Sequence, residues 1–314
     1  MAQPQAGILP EPNPFAVFLI FQVRDAGINA PRVASIVSNI SALTYKAHRV
    51  DPKANLVCTV ALGSEFWDLI SPQRRPAGLR PFKPFAVDGR LAPNTGGDLL
   101  FHIISKRHDL NFDLALKIRH AFNDLVEVKD EIHGFRYLDK RDLSGFIDGT
   151  ENPKGKERAK VALVGPEDPQ FEGGSYVYTQ RYIHDLNRWV AVPLHEQEKI
   201  IGRRKSNSEE LSGRIKPPTA HISRVVIEEN GAELKIVRHS FPYGTTTEAG
   251  LFFIAYTKSL DITDKMLARM IGASGDGAHD HLLQYTRAVS GATFFAPPLR
   301  LLQSLASKSS PKKA

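Results

Sequence analysis

The fold is indicated first by the segment AVFLIFQV at residues 16–23 and by the segment PRVASIVSNISALTYKAH that follows at residues 31–48. The first is rich in valine, isoleucine and phenylalanine, a composition typical of a buried β-strand. The second places Val33, Ile36 and Val37 at the spacing of an amphipathic helix. The chain is therefore predicted to begin with a strand followed by a helix.

The same kinds of element continue along the chain, and their order is then repeated. In the first half, hydrophobic periodicity predicts a helix at 113–122, capped by Asn111, and further strands at 56–62, 98–104 and 125–137. In the second half it predicts helices at 196–201 and 261–271, and strands at 175–182, 234–238, 251–256 and 291–295. Each half has the order β-α-β-β-α-β, so the sequence predicts an α+β fold of two ferredoxin-like domains with antiparallel sheets.

The predicted domain boundaries follow from this repeat. The N-terminal domain is predicted at residues 6–140, the C-terminal domain at 141–302 and a flexible basic tail at 303–314. Between the two repeats, the stretch DKRDLSGFIDGTENPKGKERAK at residues 139–160 is charged and contains glycine. Its composition is typical of a linker, and functional residues often lie on such loops when a rigid scaffold positions them.

The composition is that of a soluble globular protein. The chain has 314 residues, of which 42% are hydrophobic and 24% charged. Cys58 is the only cysteine, which excludes an intrachain disulfide and a thiolate-rich metal site. The sequence shows neither a targeting peptide nor an apolar run of about 20 residues, so we expect a cytoplasmic protein with no membrane association.

The net charge of +7 suggests a nucleic-acid partner only at first sight. Lys308, Lys312 and Lys313 lie in the last fourteen residues, which contain no acidic residue, and without them the charge is +4. Basic and acidic residues are interspersed in the rest of the chain. The sequence therefore predicts no nucleic-acid partner.

Common catalytic motifs are absent, and two stretches remain as candidates. The chain has no Gly-x-Ser-x-Gly elbow, phosphate-binding glycine loop or His-Glu-x-x-His pair. The candidates are GFIDGTENP at 145–153 and PPTAHISRVVIEENGAELKIVRHSFPYG at 217–244. Taken alone, they also fit an ordinary turn around Asp148, a surface or core histidine at 221 and a solvated arginine at 238.

Taken together, these stretches resemble the dye-decolorizing peroxidases, and in particular the bacterial class B branch. The resemblance begins with Gly145-x-x-Asp148-Gly149 followed by Thr-Glu-Asn-Pro. It extends over nearly the whole chain, through segments that include Gly173-Gly174-Ser175-Tyr176-Val177, Ile201-Gly202-Arg203, Ala220-His221-Ile222, Ile236-Val237-Arg238 and Asp280-x-Leu282-Leu283. It implies two ferredoxin-like domains with haem held mainly by the second.

The resemblance also implies an activity. We expect a haem b peroxidase that reduces hydrogen peroxide and oxidises dyes, phenols or porphyrinogens in one-electron steps through a ferryl intermediate. The alternative is a haem- or porphyrin-handling protein with incidental peroxidase activity. Electrons from large donors are expected to pass through aromatic side chains. By residue type alone the candidates are Trp67, Trp189, Tyr178, Tyr182 and Tyr256, for most of which core packing is the favoured role.

The resemblance assigns the chemical steps to particular residues. His221 would be the axial iron ligand, with Asp280 accepting a hydrogen bond from its other ring nitrogen. Asp148 would move the peroxide proton, and Arg238 would stabilise the charge that develops on the leaving oxygen. Ser240 stands where some relatives carry asparagine, and its hydroxyl would orient peroxide or water.

Further cofactor-binding residues and partners are implied in the same way. Arg203 and Asn152 would bind the haem propionates, and Gly149 would let another group approach the backbone closely. We expect a homo-oligomer. Some relatives end in a peptide that directs them into encapsulin shells. The C-terminal residues here lack the usual glycine-serine-leucine pattern, so encapsulation is not predicted.

Overall fold

The computed structural model describes residues 2–305. The strands of the N-terminal half are β1 (Phe15–Val23), β2 (Val57–Gly63), β3 (Phe85–Val87), β4 (Arg90–Ala92), β5 (Leu99–Ser105) and β6 (Val126–Phe135). Its helices are α1 (Ala26–Ser38), α2 (Ile40–His48), α3 (Ser64–Ile70) and α4 (His108–Phe122).

The C-terminal half continues the numbering. Its strands are β7 (Ser175–His184), β8 (Glu228–Glu229), β9 (Ala232–Glu233), β10 (Val237–Arg238), β11 (Phe241–Gly244), β12 (Ala249–Thr257), β13 (Thr286–Ala288) and β14 (Ala292–Ala296). Its helices are α5 (Glu157–Ala162), α6 (Leu186–Val190), α7 (Leu194–Ile201), α8 (His221–Val225), α9 (Leu260–Ile271) and α10 (Leu299–Ser304).

Ten strands join in one antiparallel sheet that contains both halves of the chain. The order is β10-β12-β7-β14-β2-β5-β1-β6, with β11 added on β12 and β13 on β7. In each half the four main strands follow the same order, second-third-first-fourth, so the predicted pair of ferredoxin-like domains is confirmed. The halves join where β14 pairs with β2.

The side chains of this sheet pack into two main cores. One lies under the helices and includes Val33, Trp67 and Leu114. The other lies on the opposite face of the sheet and includes Phe18 and Phe252 from the two halves. The face without helices is thus buried where the domains meet.

Close packing at this domain contact requires a glycine in β6. A Cβ placed on Gly134 would lie 2.5 Å from the Cβ of Phe241, which belongs to β11 of the other half. A contact this short between two carbon atoms is repulsive. Any larger residue at position 134 would therefore push the two halves apart locally.

Most predicted elements are present, with differences at their ends. The strand predicted at 234–238 is paired only at Val237–Arg238. The helix predicted at 113–122 begins at His108, so Asn111 is not its cap; the Asn111 side chain lies inside the fold and donates to the Phe15 carbonyl oxygen at 3.1 Å. The sequence alone does not distinguish a buried asparagine that binds a neighbouring strand from an asparagine that caps a helix.

The predicted domain boundaries remain a prediction, because the shared sheet runs through both halves without a break. The tail predicted at 303–314 begins too early, since α10 extends to Ser304. Residues 306–314 lie outside the described part of the chain. Within residues 2–305, no helix is both long and apolar enough to cross a membrane.

Candidate functional site

A large cavity opens in the C-terminal half between the sheet and its helices. It holds about 1620 Å³ of atom-free space, counted together with its open mouth. The walls come from the loop at 142–151 and from β7, β10, β12, α8 and α9. Most of its lining side chains are apolar, among them Phe146, Ile222, Phe253 and Met266. Such a cavity suits a large, flat and mostly apolar ligand.

His221 and Asp280 form a hydrogen-bonded pair in the cavity wall. His221 is the first residue of α8, and its Nδ1 lies 2.6 Å from Oδ2 of Asp280. The Asp280 carboxylate is completely buried, and its Oδ1 accepts a hydrogen bond from the Leu282 N–H at 2.9 Å. Because Nδ1 faces a carboxylate, it carries the proton, and the lone pair of His221 is on Nε2.

Asp148 and Arg238 line the same cavity and face each other. The Arg238 Nη1 lies 3.4 Å from the Asp148 Oδ1, and about a quarter of each side chain is exposed. Arg238 is held by β10, where it is paired with Ala255 of β12. Asp148 is held by the 142–151 loop, whose backbone is tied to Lys140 through the Asp148 N–H at 3.0 Å.

Gly149 is needed for the backbone path of this loop. Its φ of +77° lies in the left-handed region that favours glycine. In this conformation its N–H points at the preceding side chain and donates to Asp148 Oδ1 at 2.7 Å. The glycine thus orients the carboxylate through the backbone, and the predicted role in cofactor binding stays a prediction.

Both polar atoms of the Asn152 side-chain amide form hydrogen bonds with the backbone of Arg238. Its Nδ2 donates to the Arg238 carbonyl oxygen at 2.8 Å, and its Oδ1 accepts from the Arg238 N–H at 2.9 Å. The side chain is not among those lining the cavity. The geometry therefore favours a positioning role for Asn152 over the predicted contact with a propionate.

Ser240 also lies differently from the expectation. Its hydroxyl oxygen accepts from the Ile254 N–H at 3.3 Å, and it does not line the cavity. The predicted role in orienting peroxide therefore has no support in these contacts.

Arg203 does line the cavity, at the end where α7 gives way to a loop. Its guanidinium contacts Glu151, lies 3.4 Å from Glu210 and donates to the Ser208 carbonyl oxygen at 2.7 Å. The side chain is 12% exposed, so these contacts fix it in place. An anionic group at this part of the cavity wall would have to compete with Glu151 and Glu210 for this guanidinium.

The sequence analysis missed a second polar pair in the wall, Asp142 and His184. The His184 Nε2 lies 3.4 Å from Asp142 Oδ1, and its Nδ1 lies 2.8 Å from the Thr286 hydroxyl. Burial raises the pKa of Asp142, but hydrogen bonds from His184 and Ser144 outweigh it and lower the pKa to about 2. Asp142 and His184 are 42 residues apart, and no sequence pattern links them.

Two polar atoms of β7 also face the cavity without a partner. The Tyr178 hydroxyl and the Gln180 Nε2 are buried and have no hydrogen bond within residues 2–305. In the same part of the chain, no three histidine, cysteine, aspartate or glutamate side chains cluster as they would around a bare metal ion.

Comparison with known proteins gives consistent matches along the chain. The family description "Dyp-type peroxidase, N-terminal" matches residues 5–136, and "Dyp-type peroxidase, C-terminal" matches residues 139–301. A curated dye-decolorizing peroxidase from Mycolicibacterium paratuberculosis is 40% identical over 303 residues, which cover 96% of this chain and 85% of that protein.

Two solved structures are similar throughout. A variant of DypB from Rhodococcus jostii RHA1, in complex with heme, is 39% identical with a TM-score of 0.93, over 96% of this chain and 98% of that one. The encapsulated DyP-type peroxidase from Mycobacterium smegmatis is 38% identical with a TM-score of 0.92, over 96% of this chain and 98% of that one.

Proposed function

This chain belongs to the Dyp-type peroxidase family, and from that premise we propose that His221 with Asp280 holds the haem iron while Asp148 and Arg238 activate hydrogen peroxide. Membership makes the protein a haem-dependent peroxidase. The observation that supports the residue assignment is the single cavity lined by His221, Asp148 and Arg238. Asp280 supports His221 from behind this wall.

The residues of the cavity fit a haem group. Its lining is mostly apolar, as a porphyrin ring requires, and polar side chains are placed at a few points of the wall. Within residues 2–305, Nε2 of His221 has no hydrogen-bond partner, and its lone pair is the donor that haem iron takes from a histidine. Arg203 supplies a cation for a propionate. Haem supplies the iron on which peroxide is reduced and through which donor electrons pass one at a time.

Asp280 acts by making His221 a stronger electron donor. A buried carboxylate that holds the Nδ1 proton gives the imidazole partial negative character and fixes the ring. The Asp280 side chain is itself held by the Leu282 N–H, so it cannot turn away. Neither residue has to move during turnover.

Asp148 and Arg238 divide the work on peroxide. Asp148 accepts a proton from one peroxide oxygen and delivers it to the other, which leaves as water. Arg238 places positive charge where the leaving oxygen becomes negative, so its effect is larger on the transition state than on bound peroxide. The 3.4 Å separation between the two side chains allows one peroxide molecule to contact both.

The test is the rate at which the haem-reconstituted protein reacts with stoichiometric hydrogen peroxide, followed by stopped-flow absorbance. We expect a fast reaction in the wild type, and a rate at least about 100-fold lower in Arg238→Leu and in Asp148→Asn. His221→Ala should change the haem absorption spectrum before any peroxide is added. Matched controls are Arg287→Leu and Asp113→Asn, which change charges outside the cavity.

The same measurement separates this activity from haem handling. Slow bleaching of wild-type haem, with the same rate in Arg238→Leu and Asp148→Asn, would mean that the cavity binds haem without activating peroxide. An unchanged haem spectrum in His221→Ala would remove the assigned iron ligand.

Several finer features are proposals of the same kind. We propose dyes, phenols and porphyrinogens as electron donors, because the relatives are named for dye oxidation. A cytoplasmic location agrees with the single thiol, Cys58, at a partly buried position. We propose a homo-oligomer as well. A similar protein is described as encapsulated, and the expectation that this chain is not encapsulated stays a prediction.

A further inference from the structure

A buried polar pair lies on the other face of the sheet from the cavity. Tyr256 of β12 and His102 of β5 come from different halves of the chain, and neither has exposed surface. The Tyr256 hydroxyl lies 2.9 Å from the His102 Nδ1. A third polar ring, that of His239, lies 5.7 Å from the Tyr256 ring. The pair therefore sits in the core shared by the two domains.

The surroundings of this pair are dry and rigid. The Phe18 ring stacks on His102 with 4.7 Å between ring centres, and Phe252 stacks on Phe18 at 4.3 Å. His239 is fixed by a hydrogen bond from its Nε2 to the Ile8 carbonyl oxygen at 3.1 Å. The two polar rings cannot reorient without disturbing several aromatic neighbours.

Burying this polar pair in the core lowers the stability of the fold. Within residues 2–305, the His102 Nε2 is buried without a hydrogen-bond partner. Burying polar atoms in this way costs free energy that apolar side chains of similar size would not. Packing alone therefore does not explain a histidine and a tyrosine here, and unsatisfied groups of this kind are often redox or catalytic groups.

The pair is separated from the cavity by one layer of sheet. Phe253 of β12 lines the cavity, whereas Phe252 and Tyr256 point into the opposite core. Tyr256 is paired with Val237, the neighbour of Arg238, whose side chain also lines the cavity. An electron can therefore pass from Tyr256 to the cavity through directly bonded and packed atoms.

We propose that Tyr256 and His102 form a proton-coupled redox pair that takes up the oxidising equivalent from the cavity when no electron donor is bound. This rests on the peroxidase activity, since peroxide is the oxidant. Tyr256 loses one electron to the oxidised site, and its phenolic proton moves to the His102 Nδ1. The products are a neutral tyrosyl radical and a protonated imidazole. A later electron from a donor reverses both transfers.

His102 offers a neutral ring nitrogen to the phenolic proton, and because burial disfavours the imidazolium, the proton returns to Tyr256 once the radical is reduced. Burial, and then the charge of His239, lower the pKa of His102, so its ring is neutral and Nδ1 can carry a lone pair. Tyr178 provides the contrast. It lines the cavity directly, but within residues 2–305 its buried hydroxyl has no hydrogen-bond partner to receive a proton. Proximity to the cavity favours Tyr178, whereas the availability of a base favours Tyr256.

The test is electron paramagnetic resonance of haem-reconstituted protein frozen shortly after mixing with stoichiometric hydrogen peroxide and no donor. We expect a tyrosyl radical signal in the wild type. It should be lost in Tyr256→Phe and in His102→Leu, and retained in the control Tyr178→Phe. Because each single change leaves one polar group unpaired, the double variant Tyr256→Phe/His102→Leu removes both and keeps the core apolar.

The outcomes separate this inference from the proposed function. The haem absorbance of each sample reports whether the cofactor reacted with peroxide. If it reacts in the wild type and no tyrosyl signal forms, the redox pair is wrong and the peroxide site stands. A signal that survives in Tyr256→Phe or in the double variant, or that disappears in Tyr178→Phe alone, also overturns the pair.

Discussion

A small number of backbone hydrogen bonds position Arg238 in the cavity. Its strand, β10, is only two residues long, so ladder hydrogen bonds alone hold it weakly. Asn152 adds two hydrogen bonds, at 2.8 and 2.9 Å, to the carbonyl oxygen and the N–H of Arg238. The segment 142–152 contains Asp148, and through Asn152 it also holds the backbone of Arg238. The two groups that we propose act on peroxide are therefore aligned by one segment.

Replacing Asn152 with alanine tests this positioning role. We expect Asn152→Ala to slow the reaction with peroxide by roughly 10- to 100-fold, because small displacements of a catalytic group are costly. Haem affinity, measured by titrating the apoprotein, should stay the same. Asn187→Ala is the matched control, since Asn187 is exposed and does not line the cavity. Weaker haem binding at an unchanged peroxide rate would instead support the propionate contact predicted from the sequence.

At the scale of elements, the segment between the two repeats behaves as a fixed loop rather than a linker. Asp142 joins it to β7 through His184, and Trp189 of α6 donates from its Nε1 to the Ser144 carbonyl oxygen at 2.8 Å. Phe146 packs against Trp189 in a small separate core. These contacts explain how a charged, glycine-containing stretch can present Asp148 in a defined place.

The anchor at Asp142 predicts an acid-dependent loss of stability. Its pKa is about 2 in the folded protein against 3.8 when unfolded, so the unfolded chain binds the proton first as the pH falls. The contribution, about 2 kcal/mol, is complete above pH 4 and is lost between about pH 4 and 2. In chemical denaturation, Asp142→Asn should be less stable than wild type at pH 5, and the difference should shrink towards pH 2.

The exposed Asp113→Asn, at an i,i+4 pair on α4, controls for the general loss of carboxylate charge. An equal difference between wild type and Asp142→Asn at pH 5 and pH 2 would show that this ion pair does not anchor the loop.

On the scale of the whole molecule, the two domains share one sheet and one of its cores, so they are expected to unfold together. β14 of the second domain pairs with β2 of the first, and the core between them contains His102 and Tyr256. His239 lies at the same contact and bonds to Ile8 near the start of the chain. A charge that appears here on acidification would oppose the association of both halves.

The stability of the whole protein should therefore fall between pH 6.5 and 4. Burial, and then the charge of Arg158, lower the pKa of His239 from 6.5 to about 4. Over that range the unfolded chain binds a proton that the folded protein does not, which costs about 3 kcal/mol by pH 4. His239→Leu should make the dependence of the thermal midpoint on pH less steep, and the buried His102, whose pKa is also lowered, should account for part of the slope that remains. The exposed His120→Leu should leave it steep, and an unchanged slope in His239→Leu would exclude this group as the cause.

The sequence alone determined the order of elements, because the 2.0 and 3.6 residue periods of strands and helices are local. It also determined the family, because motifs such as Gly145-x-x-Asp148-Gly149 keep fixed spacing. From these it supplied His221, Asp148 and Arg238, which the structure places around one cavity. Local patterns were sufficient wherever the relevant residues are close in the chain or belong to a known motif.

Only the tertiary structure decided which of these residues touch. Asp142 with His184, Asn152 with Arg238, and His102 with Tyr256 are separated by 42, 86 and 154 residues, respectively. Ser240 and Asn152 lie in stretches that resemble the family, yet their side chains bind backbone groups and do not line the cavity. The physical reason is that side-chain contacts depend on how strands pair and which face each residue takes, and neither is a property of a local stretch of sequence.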